Sequence, residues 1–492
     1  MDFLLNALRV IGIIFMVLMV FNVIIIVHEW GHFLAGRWRG LKIEKFQIWF
    51  GKPIWKKEIN GVQYGLGCIP AGGFVALPQM APMEAIEGST DGTENREKLP
   101  PISALDKMIV AVAGPLFSLG LAFVFACVVY LVGKPESEGV VTKTIGYVLE
   151  DSPAARGGLQ VGDEIISVDG LPIKRFHGMV DSVDWGVIAS EGDTIPFVVR
   201  RGGEEITVEV PMDEKAEAAA EPGFVSSLFT RPELRQTGIA GKTTPMVAKV
   251  KPNSPADEAG FQPNDLIVTL NGDPVFHQRQ IIDETKRNQN SPMTFGIRRG
   301  KEELNLTATP RVPDRAPEVF EGVMLGIEFD TEGLRRIDHP GPLTQIGDGL
   351  RTMKNTLGAV FSPKSDVSAS HLSGPVGIMR VYYTLFEHPD GWRLVLWFSV
   401  ILNVNLAVLN MLPFPVLDGG HITMAIIEGI RRKPINFKVL EVIQIGCVLL
   451  LFGFMIFVTM KDSGDWVRSS GGESAAGDEI IFLPRGERPA TE

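Results

Sequence analysis

The residues with the clearest chemical potential are His28-Glu29-Trp30-Gly31-His32, near the start of the chain. In an α-helix, residues four apart lie on one face, so the imidazoles of His28 and His32 can bind the same metal ion. Glu29 follows the first histidine directly and can act as a general base that takes a proton from water. Two nitrogen ligands and a carboxylate base suit the hydrolysis of a peptide bond with a zinc ion. The spacing therefore predicts a catalytic metal site.

The position of this motif in the chain strengthens the prediction. The motif directly follows an apolar run from Val10 to Val27, in which Asn22 is the polar exception. The run is about long enough to cross a bilayer. It is too long for a signal peptide, and no small-residue cleavage site follows it. Ionisable side chains at the end of a membrane span are costly and usually functional, so we favour a metal site over a chance match.

Three further apolar segments are long enough to be membrane spans, at residues 109–132, 394–412 and 439–460. Clusters of Lys and Arg follow the first span, precede the second, and separate the third from the fourth. The positive-inside rule places these clusters in the cytoplasm. The N-terminus, the long section 133–392 and the C-terminal tail are then expected on the opposite side of the membrane.

The composition excludes one class of function. The chain has 492 residues, of which 47 are basic and 58 are acidic, and its net charge is −11. An acidic chain has no general electrostatic attraction for nucleic acid, so no nucleic-acid partner is expected. The length leaves room for several domains.

A catalytic zinc ion usually has three protein ligands, so a further residue must join the two histidines. The third span runs toward the cytoplasm like the first, and the two therefore end at the same membrane depth. It ends near Asn410, after which Pro413 and Pro415 stop the regular helix. Asp418 follows and is the favoured third ligand, with a helix cap as its alternative role. Other candidates for the third ligand stay open: His421, Glu428 and Glu441.

Residues 41–79 carry strand and turn signals, among them the hairpin dipeptide Asn60-Gly61. The segment from Ile69 to Leu77 is apolar and rich in glycine. Two interpretations of this segment are open. It is either part of a cytoplasmic hairpin that only packs, or an edge strand of a sheet that dips toward the membrane and can pair with a partner.

The long section between the second and third spans contains an internal repeat. The tripeptide Ser152-Pro153-Ala154 and the strand and hairpin after it recur from Ser254-Pro255-Ala256 onward. A short helix, a buried strand and a tight hairpin fit both copies. The pattern resembles PDZ domains in two tandem copies, and such domains bind extended chain ends by adding a strand to a sheet edge. We expect residues 237–241 to form a carboxylate-binding loop of the second copy.

Together, the histidine motif, the segment Leu417-Asp418-Gly419 with Asn410 and two prolines before it, and the tandem repeat resemble the site-2 proteases. The resemblance extends from residue 1 to about residue 460 and is closest to one bacterial subgroup. It implies that the cofactor is Zn²⁺ and that Glu29 activates water. The implied ligands of the ion are His28, His32 and Asp418.

The resemblance also implies how substrate is bound and what it is. Asn410 would hydrogen-bond the substrate backbone, and Gly72 and Gly73 lie in the strand that would pair with an unwound substrate. The implied substrates are single-pass transmembrane proteins already trimmed on the periplasmic side, chiefly an anti-sigma factor, and signal-peptide remnants. The implied setting is the bacterial inner membrane and its lipid, with PDZ domains and both termini periplasmic and the active site near the cytoplasmic side. The PDZ domains would exclude untrimmed substrates by size.

These predictions describe a polytopic α-helical membrane protein with four transmembrane helices, a cytoplasmic-side membrane-associated β-sheet and two tandem α+β PDZ domains. The expected boundaries are the first transmembrane helix with the histidine motif at 1–36, the β-sheet region at 37–80, a cytoplasmic loop at 81–108, the second transmembrane helix at 109–133, the PDZ domains at 139–212 and 223–312, a periplasmic linker with an amphipathic helix at 313–391, the third transmembrane helix with the Asn410 and Leu417-Asp418-Gly419 motif at 392–422, the fourth at 437–460 and a C-terminal tail at 461–492. The tail is rich in Ser and Gly and then irregular, and we assign it no function.

Two other classes of function are alternatives. A catalytically inactive membrane scaffold would bind peptides through its PDZ domains and release no cleavage product. A metal transporter would need several polar groups along its spans, whereas the middles of the four predicted spans are nearly free of charge.

Overall fold

The computed structural model describes residues 2–80, 102–213, 229–289, 291–316, 322–330, 332–432, 437–475 and 480–484. The helices are α1 (Asp2–Trp38), α2 (Ala104–Val132), α3 (Glu138–Val141), α4 (Pro153–Gly157), α5 (Val183–Ala189), α6 (Pro255–Ala259), α7 (Gln278–Arg287), α8 (Pro342–Phe361), α9 (Pro375–Glu387), α10 (Gly391–Asn410), α11 (Asp418–Arg431) and α12 (Phe437–Ala475). The strands are β1 (Lys45–Phe50), β2 (Trp55–Ile59), β3 (Val62–Leu66), β4 (Ile69–Ala76), β5 (Lys134–Ser137), β6 (Ile145–Val148), β7 (Glu164–Val168), β8 (Leu171–Pro172), β9 (Thr194–Arg201), β10 (Glu204–Pro211), β11 (Ile239–Gly241), β12 (Met246–Val250), β13 (Leu266–Leu270), β14 (Asp273–Pro274), β15 (Met293–Arg299), β16 (Glu302–Ala308), β17 (Ile327–Asp330) and β18 (Arg335–Asp338).

The chain divides into two compact units. The first unit comprises Met1–Lys134, His339–Lys354 and Ser373–Thr459, and the second comprises Pro135–Asp338, Asn355–Leu372 and Met460–Glu492. Within the described residues, four helices are long and apolar enough to cross a membrane. The candidate spans are Ala7–Trp38, Ala104–Val132, Gly391–Asn410 and Val439–Arg468, on α1, α2, α10 and α12. The predicted number of apolar spans is thereby confirmed.

A four-stranded sheet in the first unit has the strand order β2-β3-β1-β4. The last strand, β4, lies at the edge of the sheet and pairs with β1 in antiparallel register, from Lys45 opposite Ala76 to Phe50 opposite Ile69. Strand β1 pairs with β3 in parallel register. The glycine-rich segment is therefore an edge strand, as the second interpretation requires, whereas its approach to the membrane and its pairing with a partner stay predictions.

Aromatic side chains attach this sheet to α1. The rings of Trp30 and Phe33 on α1 lie 5.7 and 5.6 Å from the ring of Phe46 on β1, measured between centroids. Beyond them, the indole N–H of Trp49 donates a hydrogen bond of 2.5 Å to Oδ1 of Asn22. Asn22, the polar exception in the first apolar run, thus has a structural role, since it holds the end of β1 against the helix.

The regular helix of the third span is interrupted where the sequence predicts. Helix α10 ends at Asn410 and α11 begins at Asp418, with two prolines in the turn between them. The start of α11 packs closely on this turn, because a Cβ atom at Gly419 would lie 2.2 Å from the carbonyl oxygen of Met411. The turn therefore brings the first residue of α11 back toward the end of α10.

The second unit contains two α+β modules built on one plan. The first module has the strand order β10-β9-β7-β8 and a second pair, β11-β6, whereas the second module has the order β16-β15-β13-β12-β17. In each module, the serine of the Ser-Pro-Ala repeat caps a short helix. Ser152 Oγ accepts a hydrogen bond from the N–H of Ala155, and Ser254 Oγ accepts one from the N–H of Asp257. Buried aliphatic and aromatic side chains form a separate core in each module.

The placement of residues 237–241 differs from the prediction. We expected a carboxylate-binding loop of the second copy, but Ile239–Gly241 forms β11 and pairs with β6 of the first module. The second module is completed by β17 instead, which pairs with β12. The first module therefore extends beyond the predicted 139–212 and the second beyond the predicted 223–312. The reason is that the detectable repeat covers only part of each module, and its last strand comes from the chain that follows.

The tail differs as well, because α12 is helical throughout residues 461–475 instead of becoming irregular. Lys461 and Asp462 on this extension are buried, with exposed fractions of 5% and 4%. Nη2 of Arg231 donates to Asp462 Oδ1 at 2.5 Å, and Nζ of Lys461 donates to the carbonyl of Thr230 at 2.6 Å. These partners are distant in sequence, so the composition of the tail could not reveal them.

Two other predictions can be placed. Helix α8 covers residues 342–361, where an amphipathic helix was expected. Of the predicted cytoplasmic loop 81–108, residues 81–101 lie outside the described residues, and α2 begins at Ala104.

The two modules allow a paired test of their stability. Asp265 in the second module is fully buried, and Arg299 donates to both of its carboxylate oxygens at 2.7 and 2.8 Å. Asp265→Ala leaves the guanidinium and the backbone N–H of Gln262 without this acceptor. We expect the free energy of unfolding of the second module to fall by about 2–4 kcal/mol, measured by hydrogen exchange of its core strands. Glu303→Gln, an exposed change on β16, is the control.

The first module repeats the arrangement, because Arg201 donates to both carboxylate oxygens of Asp163 at 2.7 Å. Asp163→Ala should therefore speed hydrogen exchange in the core of the first module and leave the second module unchanged. Equal acceleration in both modules after either change would contradict two independent cores.

Candidate metal centre

Donor atoms from two separate helices meet within the C-terminal third of α1, which continues beyond the motif to Trp38. His28 and His32 lie one turn apart on α1, and their Nε2 atoms are 3.3 Å apart. Asp418 lies at the first position of α11, with Oδ2 3.3 Å from His28 Nε2 and Oδ1 3.3 Å from His32 Nε2. Among the described residues, these three form the group of His, Cys, Asp and Glu side chains whose donor atoms all lie within 4.8 Å of one another.

The dimensions of this triangle fit a zinc ion. Zinc binds histidine nitrogen and carboxylate oxygen at about 2.0–2.2 Å, so two ligands of a tetrahedral site are about 3.3–3.6 Å apart. The Nε2–Nε2 distance and both Nε2–carboxylate distances are 3.3 Å. The side chains are also largely buried, with exposed fractions of 9%, 12% and 16% for His28, His32 and Asp418. A cation at the centre of the triangle would satisfy all three donors at once.

Helix α2 orients the two imidazole rings from behind. Nδ1 of His32 lies 2.8 Å from the carbonyl oxygen of Val110, which can only accept a hydrogen bond. The proton of that ring is therefore on Nδ1, and Nε2 keeps its lone pair for a metal ion. Nδ1 of His28 contacts Oγ of Ser118 at 3.0 Å, and Ser118 is fully buried. Both rings thus have a partner on the nitrogen that faces away from the donor triangle.

A glycine allows α2 to approach this closely. A Cβ atom at Gly114 would lie 2.2 Å from Nε2 of His32 and 2.8 Å from Nε2 of His28. On the facing helix, a Cβ atom at Gly31 would lie 2.5 Å from the carbonyl oxygen of Ala113. The two helices therefore meet through small residues directly beneath the donor triangle.

A cavity of about 370 Å³ opens beside the three donors. It is lined by the other residues that the sequence predicts for the site: Glu29, Asn410, Gly72 and Gly73. Structural zinc sites are closed by four protein ligands, whereas catalytic sites have three and leave a position open. Three protein donors beside a cavity fit the catalytic kind.

The edge strand β4 passes directly beside the predicted base. A Cβ atom at Gly73 would lie 3.4 Å from Cγ of Glu29 and 3.0 Å from Cγ2 of Ile25. Its neighbour Gly72 has a φ of +69°, and a Cβ atom there would overlap the ring of Phe50. A side chain at Gly73 would therefore push the strand away from α1, whereas a side chain at Gly72 would collide with Phe50 of the neighbouring strand β1.

The structure also separates the alternatives for Asp418. The helix cap position of α11 is Leu417, so Asp418 is one residue inside the helix and its carboxylate points to the histidines. His421 lines the same cavity but lies outside the donor triangle. Glu428 binds Nζ of Lys107 at 2.7 Å. Glu441, the remaining alternative, lies on α12.

Sequence reasoning assigned no site residue to the second span, and this was an omission. Val110, Gly114 and Ser118 of α2 all contact the histidines. Two signals in the sequence pointed to them: the small-residue stretch Ala113-Gly114-Pro115, and a serine within an apolar run. Small residues in a span indicate close helix contact, and polar ones indicate a partner inside the protein.

Comparison with known proteins gives matches over most of the chain. A model of peptidase family M50 matches residues 16–453. The regulator of sigma-E protease RseP from Salmonella typhimurium is 29% identical over 463 residues, which cover 89% of this chain and 95% of that protein. A protein from Xylella fastidiosa, named as a candidate zinc metalloprotease, is 25% identical over 459 residues, which cover 88% of this chain and 95% of that protein. A solved PDZ domain of an SdrC-like protein from Listeria monocytogenes matches with a TM-score of 0.16 and 17% identity, covering 18% of this chain and 86% of that one.

The close approach of α2 generates a prediction. Gly114→Ala places a methyl group within 2.2 Å of His32 Nε2, so the two imidazoles must move apart. We expect the affinity for zinc to fall at least about tenfold, as it does when groups that orient metal ligands are altered. Gly120→Ala on the same helix is the matched control, since its Cβ meets no heavy atom of the described residues within 4 Å. Zinc content after dialysis against buffered zinc measures both variants, and equal content in the two would contradict the role of Gly114.

Proposed function

The chain belongs to peptidase family M50, and from this we propose that it is a zinc-dependent intramembrane endopeptidase. It hydrolyses a peptide bond within or near the transmembrane segment of a single-pass membrane protein. The observation that carries the proposal is the triangle of His28, His32 and Asp418 beside a cavity that also contains Glu29. Because this donor set is complete, an inactive scaffold is the weaker explanation.

In this proposal, Zn²⁺ is held by Nε2 of His28, Nε2 of His32 and the carboxylate of Asp418. When bound, the ion supplies Lewis-acid chemistry that polarises a carbonyl group and lowers the pKa of water to about 7. Glu29 takes a proton from the water molecule that attacks the carbonyl carbon of the scissile bond. It then passes this proton to the nitrogen as the C–N bond breaks, so the products are a new carboxyl and a new amino terminus.

The substrate must also be extended before it can react. The backbone of a transmembrane helix is shielded by its own hydrogen bonds, and groups freed from those bonds need new partners in an apolar environment. We assign that task to the exposed edge of β4 near Gly72 and Gly73, which can pair with the unwound chain, and to the side chain of Asn410. The proposal is supported by the position of β4 beside Glu29 and of Asn410 in the same cavity.

The proposed setting is a bacterial inner membrane, with α1, α2, α10 and α12 as its spans and the active site near the cytoplasmic side. The two α+β modules act as periplasmic PDZ domains that exclude untrimmed substrates by size. The name of the Salmonella relative ties that protein to sigma-E, and an anti-sigma factor already cut on the periplasmic side is the substrate we propose here, with signal-peptide remnants as a second group. Both termini are proposed to be periplasmic.

The role of Glu29 is tested by Glu29→Gln, which preserves shape and removes the base. We expect cleavage of a detergent-solubilised transmembrane substrate to fall at least about 100-fold, because general-base catalysis contributes that much or more. Zinc content should stay at the level of the unaltered chain. Glu58→Gln, on strand β2, is the control glutamate. Cleavage near the original rate in Glu29→Gln would remove this residue from the base role.

The third ligand is tested by Asp418→Ala. Loss of one of three donors should lower the affinity for zinc at least about tenfold and abolish cleavage in parallel. His421→Ala is the informative comparison, because its imidazole lines the same cavity and His421 lies on the same helix, α11. Elemental analysis should find zinc retained in His421→Ala and lost in Asp418→Ala, and the reverse pattern would transfer the ligand role to His421.

A further inference from the structure

A short segment of the tail, Ile480–Pro484, lies in extended form against the second module. The N–H of Ile481 donates to the carbonyl of Arg315 at 2.8 Å, and the N–H of Arg315 donates to the carbonyl of Ile481 at 3.1 Å. This reciprocal pair is an antiparallel β-bridge. The N–H of Leu483 donates to Oδ2 of Asp314 at 2.8 Å. The segment therefore binds through its backbone as an added strand does.

One aromatic side chain anchors the segment. Phe482 is 3% exposed, although it lies near the end of the chain. The guanidinium carbon of Arg311 lies 4.6 Å from the centroid of its ring, within the range of a cation–π interaction. On another side, the ring lies beside the α-carbon of Gly326, because a Cβ atom there would be 3.3 Å from Cε2 of Phe482. We call the surface formed by Arg311, Asp314, Arg315 and Gly326 the tail site.

One corner of the tail site, where Gly326 meets the repeat serine, is present in both modules. Gly326 precedes β17 and has a φ of +81°, as Gly238 precedes β11 with a φ of +79°. A Cβ atom at either glycine would lie 2.3 Å from the Cβ atom of the repeat serine, Ser254 or Ser152. The third neighbour differs: it is the ring of Phe482 at Gly326, and the Cβ atom of Leu149 at Gly238. The tail therefore contacts the second module beside a corner that the first module also has.

Hydrogen bonds within the module fix the position of the Arg311 side chain. Its Nη1 donates to Oδ2 of Asp314 at 2.8 Å, and its Nη2 donates to the carbonyl of Asn253 at 2.8 Å. These bonds fix the plane of the guanidinium, so one face stays available for stacking. A fixed cationic plane on one side of the ring, the backbone of Gly326 on another, and backbone groups that pair with a strand make a preorganised site for an extended segment with an aromatic residue.

We propose that the tail site is a docking site for extended segments that carry an aromatic residue between aliphatic neighbours, and that the chain's own residues Ile480–Pro484 are its resident occupant. The tail then acts as an intramolecular competitor. A tethered segment reaches an effective concentration on the order of mM, so a free segment of the same kind binds only when the tail leaves. The inference concerns binding by the second module and does not depend on proteolytic activity.

The test uses the full chain in detergent and a fluorescent peptide that corresponds to residues 478–486. Phe482→Ala in the protein should weaken the binding of residues 480–484 to the tail site, because a buried aromatic side chain contributes much of the binding energy of such a contact. We expect the peptide to bind Phe482→Ala at least about tenfold more tightly than it binds the unaltered chain, by fluorescence anisotropy. Pro484→Ala, a change at an exposed residue of the same segment, should behave as the unaltered chain does.

A second peptide, in which alanine replaces the phenylalanine, shows whether the ring is recognised. The Phe482→Ala protein should bind this second peptide at least about tenfold more weakly than it binds the first. Hydrogen exchange at Arg315 should be faster in Phe482→Ala than in Pro484→Ala, whereas exchange in β13 and β15 should be equal, which shows that the module is folded. If the first peptide binds the three proteins equally, or binds none of them, the tail is not a competitor at this surface and the proposal is wrong.

Discussion

The first unit depends on the close approach of a carboxylate and two imidazoles in mostly apolar surroundings. A buried carboxylate is costly unless a positive charge compensates it. A divalent cation among His28, His32 and Asp418 would compensate the charge and satisfy every donor that faces it. Helix α1 contributes two imidazoles one turn apart, α2 contributes the groups that fix the rings, and the first residue of α11 contributes the carboxylate. The three elements are therefore needed together, because each contributes a different part of the donor triangle or of its support.

Much of this centre could be predicted from the sequence because its signals are local. A spacing of four residues fixes the relative placement of His28 and His32 on any helix. Asp418 followed from a weaker argument, in which two spans with the same direction end at the same depth and two prolines free the chain to turn. The family predicted from the same motifs is confirmed by the match to peptidase family M50. The signal for the apolar spans is equally local, since hydropathy is evaluated for one helix at a time.

What sequence reasoning missed depends on packing between distant segments. Gly114 and Ser118 lie in a run whose composition is that of any span, and only the contact with α1 gives them a role. Strand β11 was assigned to the wrong module because pairing with β6 is decided by the register of a sheet and not by proximity in sequence. Lys461 and Asp462 looked like the start of an irregular tail, although both are buried in a helix and bind Thr230 and Arg231.

The polar exception in the first span shows how the sheet and the site are held together. Asn22 precedes His28 by six residues, about 9 Å along the helix at 1.5 Å per residue. It binds the indole of Trp49, while Phe33, one residue beyond the motif, packs on Phe46 at the other end of β1. Strand β1 is thus fastened to α1 on both sides of the motif, and β4 pairs with β1 along its length. An extended chain added to β4 would therefore have its depth and register relative to His28 and His32 fixed by contacts that the two histidines do not themselves make.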